Sequence, residues 1–225
     1  MTERRTNTIK RYTSLTVALD MLVKERITLL NPSSWEDEND IAFLEAYRLK
    51  RNLPAVFATC FTQAPETFHH WSVFANGHEG VRINIDKEKL LEGLRKDPCY
   101  SWGEVEYKTY EQLENITDLS LFNLPFLKRY AFTHEDEFRI VYDCSDAKKK
   151  SHDIKLKREW IKDITLSPWL HPALIDPIKE AIKSLPHCKD LTIKKTNLRN
   201  SERWKKAIAH VAAESEPKGG RKRQD

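Results

Sequence analysis

The sequence predicts an α+β fold: a single domain with a twisted mixed or antiparallel sheet flanked by helices, followed by a disordered basic C-terminal tail. Three observations predict it. Short alternating apolar segments, such as Val81, Ile83 and Ile85 or Phe138, Ile140 and Tyr142, are interleaved irregularly with helical patterns, and several strand-like segments follow one another late in the chain; a doubly wound parallel fold would alternate regularly. A chain of 225 residues, 40% hydrophobic and 10% aromatic, can bury one core. Residues 214–225 (ESEPKGGRKRQD) have no apolar anchor, so the domain is placed at 1–213.

The elements follow in order. IKRYT (9–13) reads as a first strand, and Ser14 can cap a helix in which Leu15, Leu19 and Leu22 recur at helical spacing. Ile27 to Leu30 is a second strand, stopped by Asn31-Pro32. A polar loop, SSWEDEND, leads through a capping Asp40 into a helix over about 41–50. Ala55 to Phe61 is a buried strand, and Pro65 opens a helix with Phe68, Trp71 and Ala75 on one face, broken by Asn76-Gly77. Val81 to Ile85 is a strand, and Asp86 caps the helix KEKLLEGLRK. Val105 to Lys108 reads as strand, much of 109–130 as helix broken at Pro125, and Phe138 to Tyr142 as strand. Strands at 154–157, 161–166 and 191–194 accompany helices at 172–184 and 202–213.

Charge is unevenly spread. The net +4 combines 18 basic and 24 acidic residues up to Ala147 with 20 basic and 10 acidic from Lys148 onward. No apolar run approaches the ~20 residues that span a bilayer, and MTERRTNTIKR carries no signal-like apolar segment. No membrane partner is expected. Cys60, Cys99, Cys144 and Cys188 form no CxxC pair, so free thiols in a reducing cytoplasm are expected.

Glu135 and Glu137, in HEDEFR (134–139), are the strongest candidates for chemistry. In an extended chain they share a face with Arg139, opposite Phe138, Ile140 and Tyr142. Two carboxylates so placed suit acid–base work or stabilisation of a cationic sugar-like transition state. The plain alternative is a solvated strand edge balanced by Arg139 and Lys128. Arg11, beside Tyr12 at the end of the first strand, can grip a phosphate or carboxylate; otherwise it is a surface arginine. The acidic loop 35–40 lacks the spacing and glycine of a calcium loop. His69, His70 and His78 make no HExxH and have no cysteine partners, so no metal is expected. Gly77 and Gly80 make no phosphate loop. The runs around Trp160 and Trp204 and the KGGRKR tail could bind a nucleic-acid backbone, or serve as a solvated basic face.

In order, the pieces KRYTS, LLNPSSWEDENDI, CFTQ, HHWSVFANGHEGVRINID, EDEFRIVYD and ITLSPWLHPALIDPIKEAI resemble the bacterial and phage "domain of unknown function 2971" family over about residues 9–199. Departures are Trp35 and its acidic run, Phe74 in place of a common Tyr, Arg82 at a site usually small or apolar, and Ser167 in place of a late glycine. The layout also looks like the ADP-ribosyltransferase superfamily. That resemblance implies Arg11 on the NAD pyrophosphate or ribose, Thr59 or Thr62 on the middle strand, and Glu137 as catalytic glutamate with Glu135 orienting the acceptor. The expected site is therefore Arg11, Tyr12, Thr62, Trp71, Glu135, Glu137 and Arg139. NAD is the expected substrate, no cofactor is tightly bound, and the role is that of a prokaryotic or phage toxin or defence component. The alternative is a non-catalytic module that binds nucleic acid or protein through the basic C-terminal half.

Overall fold

The computed structural model describes residues 7–75 and 77–214. The tail expected at 214–225 lies outside them, apart from Glu214, which ends the last helix.

The elements are β1 (Thr8–Ser14), α1 (Leu15–Lys24), β2 (Arg26–Leu30), α2 (Glu38–Lys50), β3 (Ala55–Thr62), α3 (Phe68–Phe74), β4 (Gly80–Asp86), α4 (Lys87–Leu94), β5 (Tyr100–Glu104), β6 (Glu106–Lys108), α5 (Tyr110–Glu114), β7 (Leu127–Arg129), β8 (Glu137–Cys144), β9 (Ser151–Lys155), β10 (Ile161–Leu166), α6 (Pro172–Lys183), β11 (Thr192–Lys195) and α7 (Glu202–Glu214). A nine-stranded sheet runs β11-β10-β4-β1-β3-β2-β9, with β8 also paired to β3 and β5 to β8. Its pairs are antiparallel except β10–β11, and β6 and β7 form a separate parallel pair. This is the mixed-sheet α+β domain that the irregular interleaving predicts.

β3 is the branch point of the sheet. One edge pairs with β8 along its whole length, from Ala55↔Cys144 to Thr62↔Glu137. The other edge meets β1 only at Lys10↔Thr62 and β2 only at Leu30↔Ala58. The two neighbours diverge because α1 leaves β1 at Ser14, whose Oγ accepts from the Val17 N–H.

One face of the sheet is apolar. Ile9, Phe57, Phe61, Ile83, Ile85, Phe138 and Ile140 are buried there, together with Met21 and Leu22 of α1 and Leu90, Leu91 and Leu94 of α4. On the other face Val56, Ala58 and Val141 meet Leu44 and Tyr47 of α2. Gly80 allows α3 to end close to β4: a Cβ there would lie 2.1 Å from the Ala75 carbonyl oxygen.

Three expectations are corrected. The helix expected over much of 109–130 is only α5, then a 3-10 stretch at Leu121–Phe126, then β7. A capping box of Thr109 and Gln112 starts the helix. The following Asn115, Thr117, Asp118 and Ser120 favour turns over helix. Asp37, not Asp40, caps α2, accepting from the Asn39 N–H. Thr67, not Pro65, opens α3.

Candidate functional site

Alternation along strands decides which side chains share a face. The pairings Asp163↔Asn84, Asn84↔Lys10, Lys10↔Thr62 and Thr62↔Glu137 run in one line across β10, β4, β1, β3 and β8. Beside it lie Thr165↔Arg82↔Tyr12 and, farther along, Cys60↔Arg139. The face opposite the aliphatic core therefore has a polar floor beside the Val56, Ala58 and Val141 patch, partly roofed by α2 and α3.

At its β8 end stands a buried ion cluster. Glu137 Oε1 accepts from Arg139 Nε at 2.7 Å, and Glu137 Oε2 from Lys128 Nζ at 3.1 Å. Lys128 also donates to Glu135 Oε2 at 2.6 Å and lies 3.3 Å from Asp40 Oδ2. Arg139 completes the set with Asp40 at 3.0 Å and the Pro125 carbonyl at 2.8 Å. Its guanidinium stands over the Trp35 ring, 5.1 Å from the centroid. Three carboxylates thus meet two cations. Burial alone would raise the Glu137 pKa, but Arg139 and Lys128 outweigh it and hold the group at about 2. Glu135 goes the other way: burial raises its pKa and Lys128 offsets this only in part. The Cys60 thiol, near Glu137, is pushed up by burial and then by that carboxylate, so it stays protonated.

The glutamates do not both belong to a strand. Glu135 ends a 3-10 turn (Tyr130–Glu135), Asp136 takes a left-handed φ of 43°, and Glu137 is the first residue of β8. They converge because Lys128, on the short strand β7, reaches both.

Next to them the Thr62 hydroxyl donates to the Glu135 carbonyl at 2.5 Å and lies 3.3 Å from His70 Nε2. His70 Nδ1 bonds to the Thr67 hydroxyl. With the Thr62 proton committed to the carbonyl, His70 Nε2 is the donor and Nδ1 the acceptor. Burial drives the His70 pKa down to about 4, so the ring is neutral at pH 7. It stacks on Tyr12 at 5.3 Å. Trp71 meets Tyr12 edge-on at 5.1 Å and donates to Glu66 at 2.7 Å. Arg82 donates to Thr165 at 2.9 Å and lies 3.5 Å from Glu66. Among the described residues the Tyr12 hydroxyl and Arg82 Nε are out of water and have no hydrogen-bond partner.

Of the residues expected from sequence, Tyr12, Thr62, Trp71, Glu135, Glu137 and Arg139 lie on this face. Arg139 is fully buried, and each of its three nitrogens donates within the cluster, so it positions Glu137. Arg11 is not brought there. It follows Lys10 and precedes Tyr12, so it points through the sheet to the apolar side. There it donates to the Thr59 hydroxyl at 2.6 Å and the Cys60 carbonyl at 3.1 Å, near the Phe61 ring. It closes the gap where β1 and β2 diverge from β3. Thr59 shares that side. The β1 residues facing the carboxylates are Lys10 and Tyr12.

Sequence reasoning missed Asp40 and Lys10 as members, and gave Lys128 only as a balancing charge. It also missed a convergence of His69, His134 and Glu135, whose ligand atoms all lie within 4.8 Å of one another. His69 and His134 are 65 positions apart, so no spacing rule links them. Alternation within KRYT, however, already separates Arg11 from Tyr12.

A family model described as "Protein of unknown function (DUF2971)" matches residues 70–140, which run from His70 through Glu135 and Glu137 to Ile140. No curated protein matches the chain. Among solved structures the chain is similar to Thermus sp. 2.9 DarT in complex with carba-NAD+, at 10% identity over 86% of this chain and 97% of that one, TM-score 0.44. It is similar to the same protein in complex with NAD+, at 9% identity over 87% and 98%, TM-score 0.45. A third match is that protein in complex with ADP-ribosylated ssDNA, at 11% identity over 87% and 97%, TM-score 0.45.

Proposed function

We propose that the protein is an NAD-dependent ADP-ribosyltransferase whose reaction centre is Glu137 with Glu135. The observation that carries this reading is the fixing of the Glu137 carboxylate from two sides, by Arg139 and Lys128, with Glu135 held by the same lysine. A carboxylate so fixed is ionised and preorganised beside any positive charge that develops near it. In the proposed reaction the ribose C1′–nicotinamide bond breaks. Its electron pair goes to the pyridinium nitrogen, and nicotinamide leaves neutral. The oxocarbenium-like ribosyl faces Glu137, an acceptor heteroatom bonds to C1′, and the acceptor's proton passes to Glu135 or to water. Arg82, and Lys10 through the one Nζ donor not given to the Gln63 and Ala64 carbonyls, are the cations of this face that can meet the diphosphate, in place of Arg11.

Incubation with NAD tests this directly: wild-type protein should release nicotinamide and a folded Glu137→Gln variant should not. DarT is held with NAD+ and with ADP-ribosylated ssDNA in its structures, so NAD and single-stranded DNA are the first donor and acceptor to try. The four cysteines are free, which supports a cytoplasmic setting. Among the described residues no helix is long and apolar enough to cross a membrane. The role fitting this chemistry is that of a prokaryotic or phage toxin or defence component.

A second reading, a nucleic-acid-binding module, is favoured by one feature. A cleft of about 430 Å³ is lined by Lys155, Lys157, Arg158 and His187 against Glu25 and Glu159, and by none of the carboxylates of the site. Steep loss of DNA affinity with salt, without nicotinamide release, would select it.

A further inference from the structure

We infer that His69, His134 and Glu135 form a site for one divalent transition-metal ion of the zinc type. One ring nitrogen from each histidine and one carboxylate oxygen of Glu135 lie within 4.8 Å of one another. The two rings stand at 86° with centroids 4.2 Å apart. Metal–ligand bonds of about 2.0–2.1 Å in a tetrahedral shell put ligand atoms about 3.3 Å apart. The triad therefore closes on an ion by small rotations of two exposed imidazoles. His69 lies in the first turn of α3 and His134 in the 3-10 turn before β8, so the fold, not a local motif, brings them together.

Two further features fit a cation here. Glu135 Oε2 is held by Lys128 at 2.6 Å, which orients the carboxylate from behind and leaves Oε1 for the ion. The cluster behind it has three carboxylates, Asp40, Glu135 and Glu137, against the two cations Lys128 and Arg139. A cation at its open edge offsets that excess of negative charge. Two imidazoles and a carboxylate suit Zn²⁺ or Co²⁺ better than Ca²⁺ or Mg²⁺, which take oxygen ligands. Three protein ligands leave one coordination position open. With the ion bound Glu135 is a ligand and not a proton acceptor, so occupancy opposes the transfer step. The site itself does not rest on the NAD reading.

The test is titration of the full chain with Co²⁺, followed by visible absorption, with Zn²⁺ displacement as a second readout. The expected result is one Co²⁺ per chain with the strong band of a four-coordinate ion, abolished by equimolar Zn²⁺. His69→Ala and His134→Ala, at exposed positions, should each weaken binding at least about tenfold, which is the size that even an outer-shell change produces. His78→Ala, also exposed, should leave it unchanged. Absence of a band, or a band that survives both substitutions, overturns the site. Neither result depends on whether NAD is consumed.

Discussion

Glu137 accepts from two buried cations, Arg139 and Lys128, so its neutralisation is felt by both. Glu137→Gln should lower stability by about 3 kcal/mol, because it breaks the charge-assisted bonds from buried Arg139 and Lys128; urea unfolding measures this, and an unchanged midpoint would mean that the cluster is not closed as described. His70 adds a pH dependence. Its pKa falls from 6.5 to about 4 on folding, first through burial and then through His69, His134 and Lys10, partly countered by the Glu135 backbone. Thr62, Thr67, Tyr12 and Phe74 also surround it. Between these pH values the unfolded chain binds more protons, so the contribution is full above about pH 6.5 and is lost as pH falls through 4. Unfolding free energy should drop over that window by an amount on the order of 3 kcal/mol, and a His70→Gln protein should show a flatter profile. The Glu135–Glu137 pair was legible because two carboxylates two residues apart precede an alternating strand, although a 3-10 turn and a left-handed Asp136, not an extended chain, bring them together. Lys128 and Asp40 were less so, because their importance comes from contacts made by a short strand and a helix that sequence patterns do not join.

Among the elements, β1 carries the sharpest lesson. Strand periodicity places Arg11 and Tyr12 on opposite faces, so the two cannot line one pocket on one face of the sheet. Arg11→Met removes the bonds to Thr59 and to the Cys60 carbonyl at the sheet split. It should cost about 1–3 kcal/mol and leave the NAD-induced shift in Tm intact, whereas Arg82→Met should reduce that shift. A lost shift in the Arg11 variant alone would restore the diphosphate role to that residue. Gly80 shows the other kind of constraint: a Gly80→Ala side chain meets the Ala75 backbone at 2.1 Å, so one of two elements must move. A loss of at least about 2 kcal/mol in denaturant unfolding is expected. Most strands and helices were legible from alternation, from caps such as Ser14 and Asp86, and from breakers such as Asn31-Pro32. β5 and β7 were not, since YSWGE and LKR are short and gain their partners, β8 and β6, only in the fold.

At the level of the whole molecule the net +4 resolves into two surfaces. The acidic first 147 residues supply both carboxylates and cations of the site, while the basic remainder supplies β9 to β11, the cleft beside Arg158, and α7. Trp204, Ile208 and Val211 of α7 are exposed, so deletion of residues 202–225 should leave the unfolding free energy within about 0.5 kcal/mol. The same deletion should reduce the salt-sensitive binding of an anionic polymer. Nicotinamide release from NAD, compared between wild type and a Glu137→Gln variant shown by circular dichroism to be folded, tests the role of Glu137. Release by the wild type and its loss in the variant is the predicted result; release that persists unchanged in the folded variant, or no release by the wild type with any acceptor, contradicts it.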